Sequence, residues 1–276
     1  MTTSNQIREP VVSGAFYPAE PDKIIKTIQD YFKKCSAPQI EGEIVGLIAP
    51  HAGYVFSGQA AAEAFKQIEH KPYNTVVVIA PSHFDHISGI SVYDGKAYKT
   101  PLGEIPVDNE LTRNLIMQGR FFHASTLGHQ QEHSLEVQLP FLQYALDDFS
   151  LVPIAISDLD WEICEDLANA LNTIIKNRST LIVASSDLSH YHSDKQARIL
   201  DQIIIDSVKK NDPEGLYQAL RNRSCEACGG AAIVSMMLTT RLMGAMNSTV
   251  LRYMTSGDVS LDRYQVVGYL SAAFWK

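Results

Sequence analysis

Three observations predict an α/β fold: a single domain whose central, mainly parallel or mixed sheet is flanked by helices. Short all-apolar runs recur along the chain, at residues 43–49 (EIVGLIA), 75–80 (TVVVIA) and 180–185 (TLIVAS). Segments with helical spacing of apolar residues separate them, the pattern of strands buried on both faces beneath helices. The 276 residues are 45% hydrophobic and 20% charged and hold no stretch rich enough in Gly, Ser or Pro to act as a linker. One domain over residues 1–276 is therefore expected.

After an extended start at residues 10–18, Pro21 opens a helix in which Ile24, Ile25, Ile28, Tyr31 and Phe32 recur at helical spacing. The run 43–49 is a buried strand, 57–69 an alanine-rich helix and 75–80 a second buried strand. Shorter strands or turns are expected at 87–92 and 99–107, then a helix from Asp108. Residues 134–146 are helical, interrupted or started anew at Pro140. A strand at 150–156, a helix at 161–175 and the strand at 180–185 follow. Three helical patterns fill 194–243, and strands at 249–254 and 265–272 close the chain. No internal repeat interrupts this alternation.

Composition excludes several classes. Lys and Arg number 23 against 31 Asp and Glu, a net charge of −8, and no basic run exceeds a dipeptide. Nucleic-acid binding, which rests on neutralising phosphates, is not expected. The first ten residues (MTTSNQIREP) lack the apolar core of an export signal, and no apolar run approaches a membrane span. Four cysteines are too few for a disulfide scaffold, so a reduced, cytoplasmic protein is expected. Asn177, Asn222 and Asn247 open tripeptides of the glycosylation pattern, which carry no meaning in that compartment.

Chemistry gathers after the buried strands. The first runs into Pro50-His51-Ala52-Gly53-Tyr54, the second into Pro81-Ser82-His83-Phe84, and the third into Ser186-Asp187-Leu188-Ser189-His190. Ligands of open α/β sheets bind outside the carboxyl ends of the strands, so His51, His83 and the Asp187/His190 pair are directed to one edge. Histidine is both the commonest metal ligand and the usual acid–base group near neutral pH.

Other residues compete less well. His129 and His133 lie four apart and would share a helix face, but no HExxH pattern accompanies them. Glu132 and His133, just ahead of an apolar helix, are candidates to line the pocket. His86 follows His83 too weakly to be chosen, and His70 and His123 are read as solvent-facing. Cys225 and Cys228 form the lone CxxC, which cannot close a zinc site by itself. Cys228 precedes a helix start, where a thiol's pKa falls, and is the better candidate; Cys225 is incidental. No GxxxxGK[ST], GxGxxG or GxSxG signature occurs. Ser186, Asp187 and His190 are too close in sequence for a hydrolase relay.

These motifs together resemble the Memo family, whose prokaryotic members are called AmmeMemoRadiSam system protein B. The resemblance runs from an opening motif at residues 8–18 (REPVVSGAFYP) through the His51 and His83 motifs and Thr100-Pro101-Leu102-Gly103. It continues through Glu132-His133-Ser134-Leu135-Glu136-Val137-Gln138-Leu139-Pro140, Ser185-Ser186-Asp187-Leu188-Ser189-His190 and Cys228-Gly229 to Val266-Val267-Gly268-Tyr269. It implies a fold similar to the class III extradiol dioxygenases, which use non-haem iron(II). It also implies a metal site of His51, His83 and Cys228, with Asp187 and His190 beside it; His133 is a further candidate for the residues around it. In the dioxygenases a carboxylate stands where Cys228 stands here; a softer thiolate lets copper or zinc compete with iron(II) and argues against ring cleavage of catechols. His190 would move a proton, oriented by Asp187.

Two functions of different class follow. One is a metal-dependent redox enzyme acting on a small molecule; the other is a non-catalytic module holding a peptide or protein in a vestigial pocket. A metal-dependent hydrolase would need zinc with an open position. The system name implies AMMECR-type and radical-SAM proteins as partners; the charge and the lack of a long apolar run give no role to nucleic acid or membrane.

Overall fold

Every central strand is apolar on both faces, so the chain must cover both. The computed structural model describes residues 5–176 and 178–276; the first four residues of the polar start and Asn177, of the first glycosylation-like tripeptide, lie outside them. A two-residue strand β1 (Ile7–Arg8) and helix α1 (Pro21–Phe32) lead into β2 (Ile44–Ala49), α2 (Tyr54–Lys66) and β3 (Thr75–Ala80). Next come β4 (Ile90–Val92), the hairpin of β5 (Ala97–Thr100) and β6 (Gly103–Pro106), α3 (Asn109–Ile116) and β7 (Phe122–Ala124). A 3-10 turn (Glu136–Gln138) precedes α4 (Leu139–Ala145), β8 (Ser150–Ile156), α5 (Trp161–Ile174), β9 (Thr180–Ser185) and β10 (His190–His192). Helices α6 (Asp194–Lys210), α7 (Pro213–Arg221) and α8 (Gly230–Leu242) precede β11 (Asn247–Thr255), the single turn α9 (Gly257–Ser260) and β12 (Val266–Trp275).

Among the described residues, nine strands form one mixed sheet in the order β10-β12-β2-β9-β3-β8-β4-β7, with β11 also paired to β12. Its centre, β2-β9-β3-β8, is parallel, and antiparallel partners flank it on both sides. Strands β1, β5 and β6 make a separate small sheet. Along β3 the side chains alternate strictly: Val76, Val78 and Ala80 pack into one core with α1, α2 and α4. Val77 and Ile79 pack into the other with α3 and α5–α8. This period of two, apolar at every position, explains why the run TVVVIA is a strand covered twice.

Boundaries depart from expectation where local chemistry is weak. Helix α2 starts at Tyr54 rather than at residue 57, with Gly53 as its N-cap. The helix expected over 134–146 begins only with the 3-10 turn at Glu136, and Pro140 sits in the first turn of α4, where its missing N–H costs nothing. Residues 10–18 are not extended; they fold back through a Ser13–Tyr17 bridge, because the Val11 and Val12 amides turn inward to a buried carboxylate. Strands β7 (FHA) and β10 (HYH) carry no apolar run to announce them. No helix among the described residues is long and apolar enough to cross a membrane.

Gly229, at the start of α8, is pressed against the end of β9: a Cβ there would lie 2.2 Å from the Ser185 carbonyl oxygen and 2.7 Å from Ser186 Cβ. Backbone cannot yield as a flexible side chain can. Gly229→Ala is expected to cost about 1–3 kcal/mol, read as a lower urea midpoint at unchanged m-value.

Candidate metal centre

Strand order decides which side chains can meet. Because β9 lies between β2 and β3 and all three run parallel, their carboxyl ends stand side by side. Each then delivers its loop: His51 after β2, His83 after β3 and Asp187 after β9. Cys228 arrives from another direction, on the turn that leads into α8, which packs so closely on β2 that Met236 and Thr240 touch Gly46. The result is a cluster in which ligand atoms of His51, His83 and Cys228 all lie within 4.8 Å of one another.

Hydrogen bonding sets the protons. The Ser185 hydroxyl gives its single proton to the Ser134 carbonyl at 2.6 Å. It must therefore accept from Gln138 Nε2 at 2.8 Å and from His51 Nδ1 at 2.9 Å. His51 is then protonated on Nδ1 and turns the bare lone pair of Nε2 toward Cys228 Sγ, 3.2 Å away. Burial, reinforced by His133 and His83, holds the His51 pKa well below its ordinary value, so the ring is neutral. On His83 the same logic runs through Glu132, whose Oε1 lies 2.9 Å from Nδ1 and leaves Nε2 free. Burial opposes a charge on His83, but the Glu132 bond and charge outweigh it and raise the pKa. Glu132 is itself buried, yet hydrogen bonds from His83 and from backbone amides pull its pKa down to about 2.

Glu132 is anchored from behind by a segment far away in sequence. The buried Arg8 guanidinium pairs with the Glu136 carboxylate and donates to the Glu132 and His129 carbonyls, the last at 2.8 Å. Glu136 also accepts from the amides of Val11 and Val12 and from the Tyr17 hydroxyl at 2.7 Å. One ion pair thus ties the start of the chain to the loop 129–136. From that loop His133 stacks on His83, ring centres 4.8 Å apart, and meets Phe16 at 4.7 Å. His83, Glu132 and His133 make a second group whose ligand atoms converge within 4.8 Å.

Two expectations need correction. Asp187 does not orient His190: its carboxylate accepts the His51 backbone N–H at 2.8 Å and that of Ala52, because it turns toward the end of β2. His190 is bonded instead to the Leu188 backbone, and burial lowers its pKa. Nor does the helix start depress the thiol of Cys228. Burial and the neighbouring Asp187 push it up, although the Asp187 amide donates to Sγ at 3.3 Å. Burial likewise raises Asp187 itself to about 7, against the pull of the His51 and Ala52 amides.

The remaining candidates disperse. His129 is not on a helix with His133; it is buried on the Tyr98 hydroxyl at 2.6 Å, under the loop. His133 alone of that pair joins the cluster. Cys225 is buried in the core, and His70, His86 and His123 are exposed. Ser185, Gln138 and Arg8 are not marked as site residues by the sequence, although all three stand within segments that resemble the family.

Fold and cluster together define a mixed α/β protein with a His–His–Cys group at the carboxyl edge of its sheet. The family model described as Memo-like protein matches residues 8–273. The chain belongs to the Memo family. It is 37% identical to a MEMO1 family protein of Thermotoga neapolitana, covering 96% of this chain and 99% of that one. It is 36% identical to those of Nitrosopumilus maritimus (97% and 99% covered) and Aquifex aeolicus (98% and 99%). The crystal structure of an uncharacterized protein from Escherichia coli K12 shares the fold, with a TM-score of 0.52, 14% identity and coverage of 83% and 99%.

The Arg8–Glu136 pair is buried, 3% and 0% exposed, whereas Arg120–Glu162 is 73% and 71% exposed. Arg8→Met strands a buried charge and is expected to cost about 3–5 kcal/mol. Arg120→Met should cost less than about 1 kcal/mol. Chemical denaturation of the two variants side by side checks the contrast.

Proposed function

We propose that the protein holds a non-haem metal ion on His51 Nε2, His83 Nε2 and Cys228 Sγ, and uses it for redox chemistry on a small molecule. The observation that carries the reading is that all three donors converge while each is braced from behind. Ser185 holds His51 Nδ1, Glu132 holds His83 Nδ1, and the Asp187 amide points at the sulfur. Ligating histidines ordinarily show such partners, which set tautomer and ring orientation. The donor set fits iron(II), our first choice, and its thiolate suits copper and zinc as well. A bound redox metal supplies an exchangeable electron and open positions for small ligands.

The chain's own residues supply the rest. His190, kept neutral by burial, is suited to accept a proton at its free ring nitrogen. Asp187 braces the His51 backbone, and His133, stacked on His83 and tilted against Phe16, fixes the position of the His83 ring. The free cysteines suit a reducing cytoplasm, and AMMECR-type and radical-SAM proteins are the partners we propose.

A second reading, a peptide- or protein-binding module without turnover, draws on the rim. Val55 is 65% exposed, Phe84 64% and Tyr191 72%, each close in sequence to a site histidine. His190→Ala separates the readings: a redox enzyme should lose turnover with metal retained, whereas a binding module should keep its binding.

Elemental analysis of untagged protein purified without air is expected to give about one iron or copper per chain, lost in Cys228→Ser and in His51→Ala with the fold intact. Full metal retention in both variants would overturn the assignment. Glu132→Gln should weaken metal binding about 10–100-fold, measured by competition with a chelator.

A further inference from the structure

A groove of about 450 Å³ runs up to the cluster from α7. Leu159, Leu220 and Ala227 form its apolar walls, His190 and Cys228 its inner end, and Arg223 stands on its rim. Arg223 makes no side-chain hydrogen bond or ion pair among the described residues. Glu226, the acidic residue on the same wall, is already engaged by His192 at 3.0 Å. Arg223 is therefore the charged side chain of the lining that has no side-chain partner among the described residues.

The backbone adds a second observation. Arg223 has φ +60°, just past the end of α7. The left-handed region disfavours any side chain with a Cβ, and glycine is the common residue after a helix. Glycine would serve the fold at least as well here, although His70, Tyr191, Asn211 and Leu261 also take positive φ. The chain as a whole, at net charge −8, repels small anions, and a local cation is what an anionic ligand would require.

We propose that the groove binds a small organic acid with an apolar body, its carboxylate paired with Arg223 and its body lying along Leu159 and Leu220 beside Cys228 and His190. A guanidinium matches a carboxylate through two parallel N–H···O bonds. A phosphate dianion would need a second cation and would face Glu226. This inference names the substrate class for the metal centre and rests on that reading, but Arg223 is not among the proposed ligands, so the two fail separately.

The test is calorimetric titration of the purified protein with benzoate and with benzamide, which has the same shape without the charge. The metal content of every sample is measured alongside. Benzoate is expected to bind about fivefold more tightly than benzamide, the factor an exposed ion pair supplies. Arg223→Gln should abolish that preference at unchanged metal content. Arg223→Gly should abolish it too while keeping or raising Tm, since glycine suits the left-handed backbone. Equal affinity for the two probes, no heat with millimolar benzoate, retention of the preference in both variants, or displacement of benzoate by equimolar inorganic phosphate would each overturn the proposal. Protein that takes up no metal but keeps the Arg223-dependent preference would overturn the metal assignment alone.

Discussion

Strand β9 lies between β2 and β3, and the site depends on that insertion. Parallel strands end at a common edge, so the residue types after each strand become neighbours although they are separated by tens of residues. The ladder continues past the strand ends: the Ser186 amide donates to the Ala49 carbonyl at 3.0 Å, and Asp187 then reaches the His51 amide. A shift of that register by one residue would turn Ser185 away from His51 and leave its ring free to rotate.

Burial makes the arrangement exacting. The cluster rests on polar groups removed from water, among them His51, Ser185, Gln138 and Glu132, and each needs a partner to avoid a desolvation cost. Ser185 satisfies three groups at once, Glu132 gathers a ring nitrogen and several amides, and Glu136 neutralises Arg8 while receiving two amides and a phenol. Orientation of the ring nitrogens is thus a by-product of satisfying buried donors and acceptors. The same economy explains the tight approach of α8 at Gly229, where a helix start replaces solvent beside Ser185 and Ser186.

Around this rigid floor the rim is of another character. Val55, Phe84 and Tyr191 are exposed, and Arg223 is held in a backbone conformation that its side chain does not favour. Phe84 stands on the loop after β3, Val55 on the first turn of α2, Tyr191 in the short edge strand β10 and Arg223 just past α7, all outside the central strands.

Sequence by itself determined the strands, because TVVVIA or TLIVAS can be stable only when covered on both faces, and it determined that His51, His83 and Asp187 follow strand ends. It also marked Cys228 by its place before a helix. It did not announce β7 or β10, whose three residues bear no apolar pattern, nor the true start of the helix after His133, where a 3-10 turn intervenes. Tertiary structure alone decided that Asp187 braces His51 rather than His190, that His129 turns into the core while His133 joins the cluster, and that Arg8 pairs with Glu136, 128 residues away. The physical reason is the range of the signal. Periodicity reports which face of an element is buried, a local property, whereas a hydrogen-bond partner is chosen by whichever polar group the folded chain leaves within about 3 Å, and that distance exists only after the sheet has assembled.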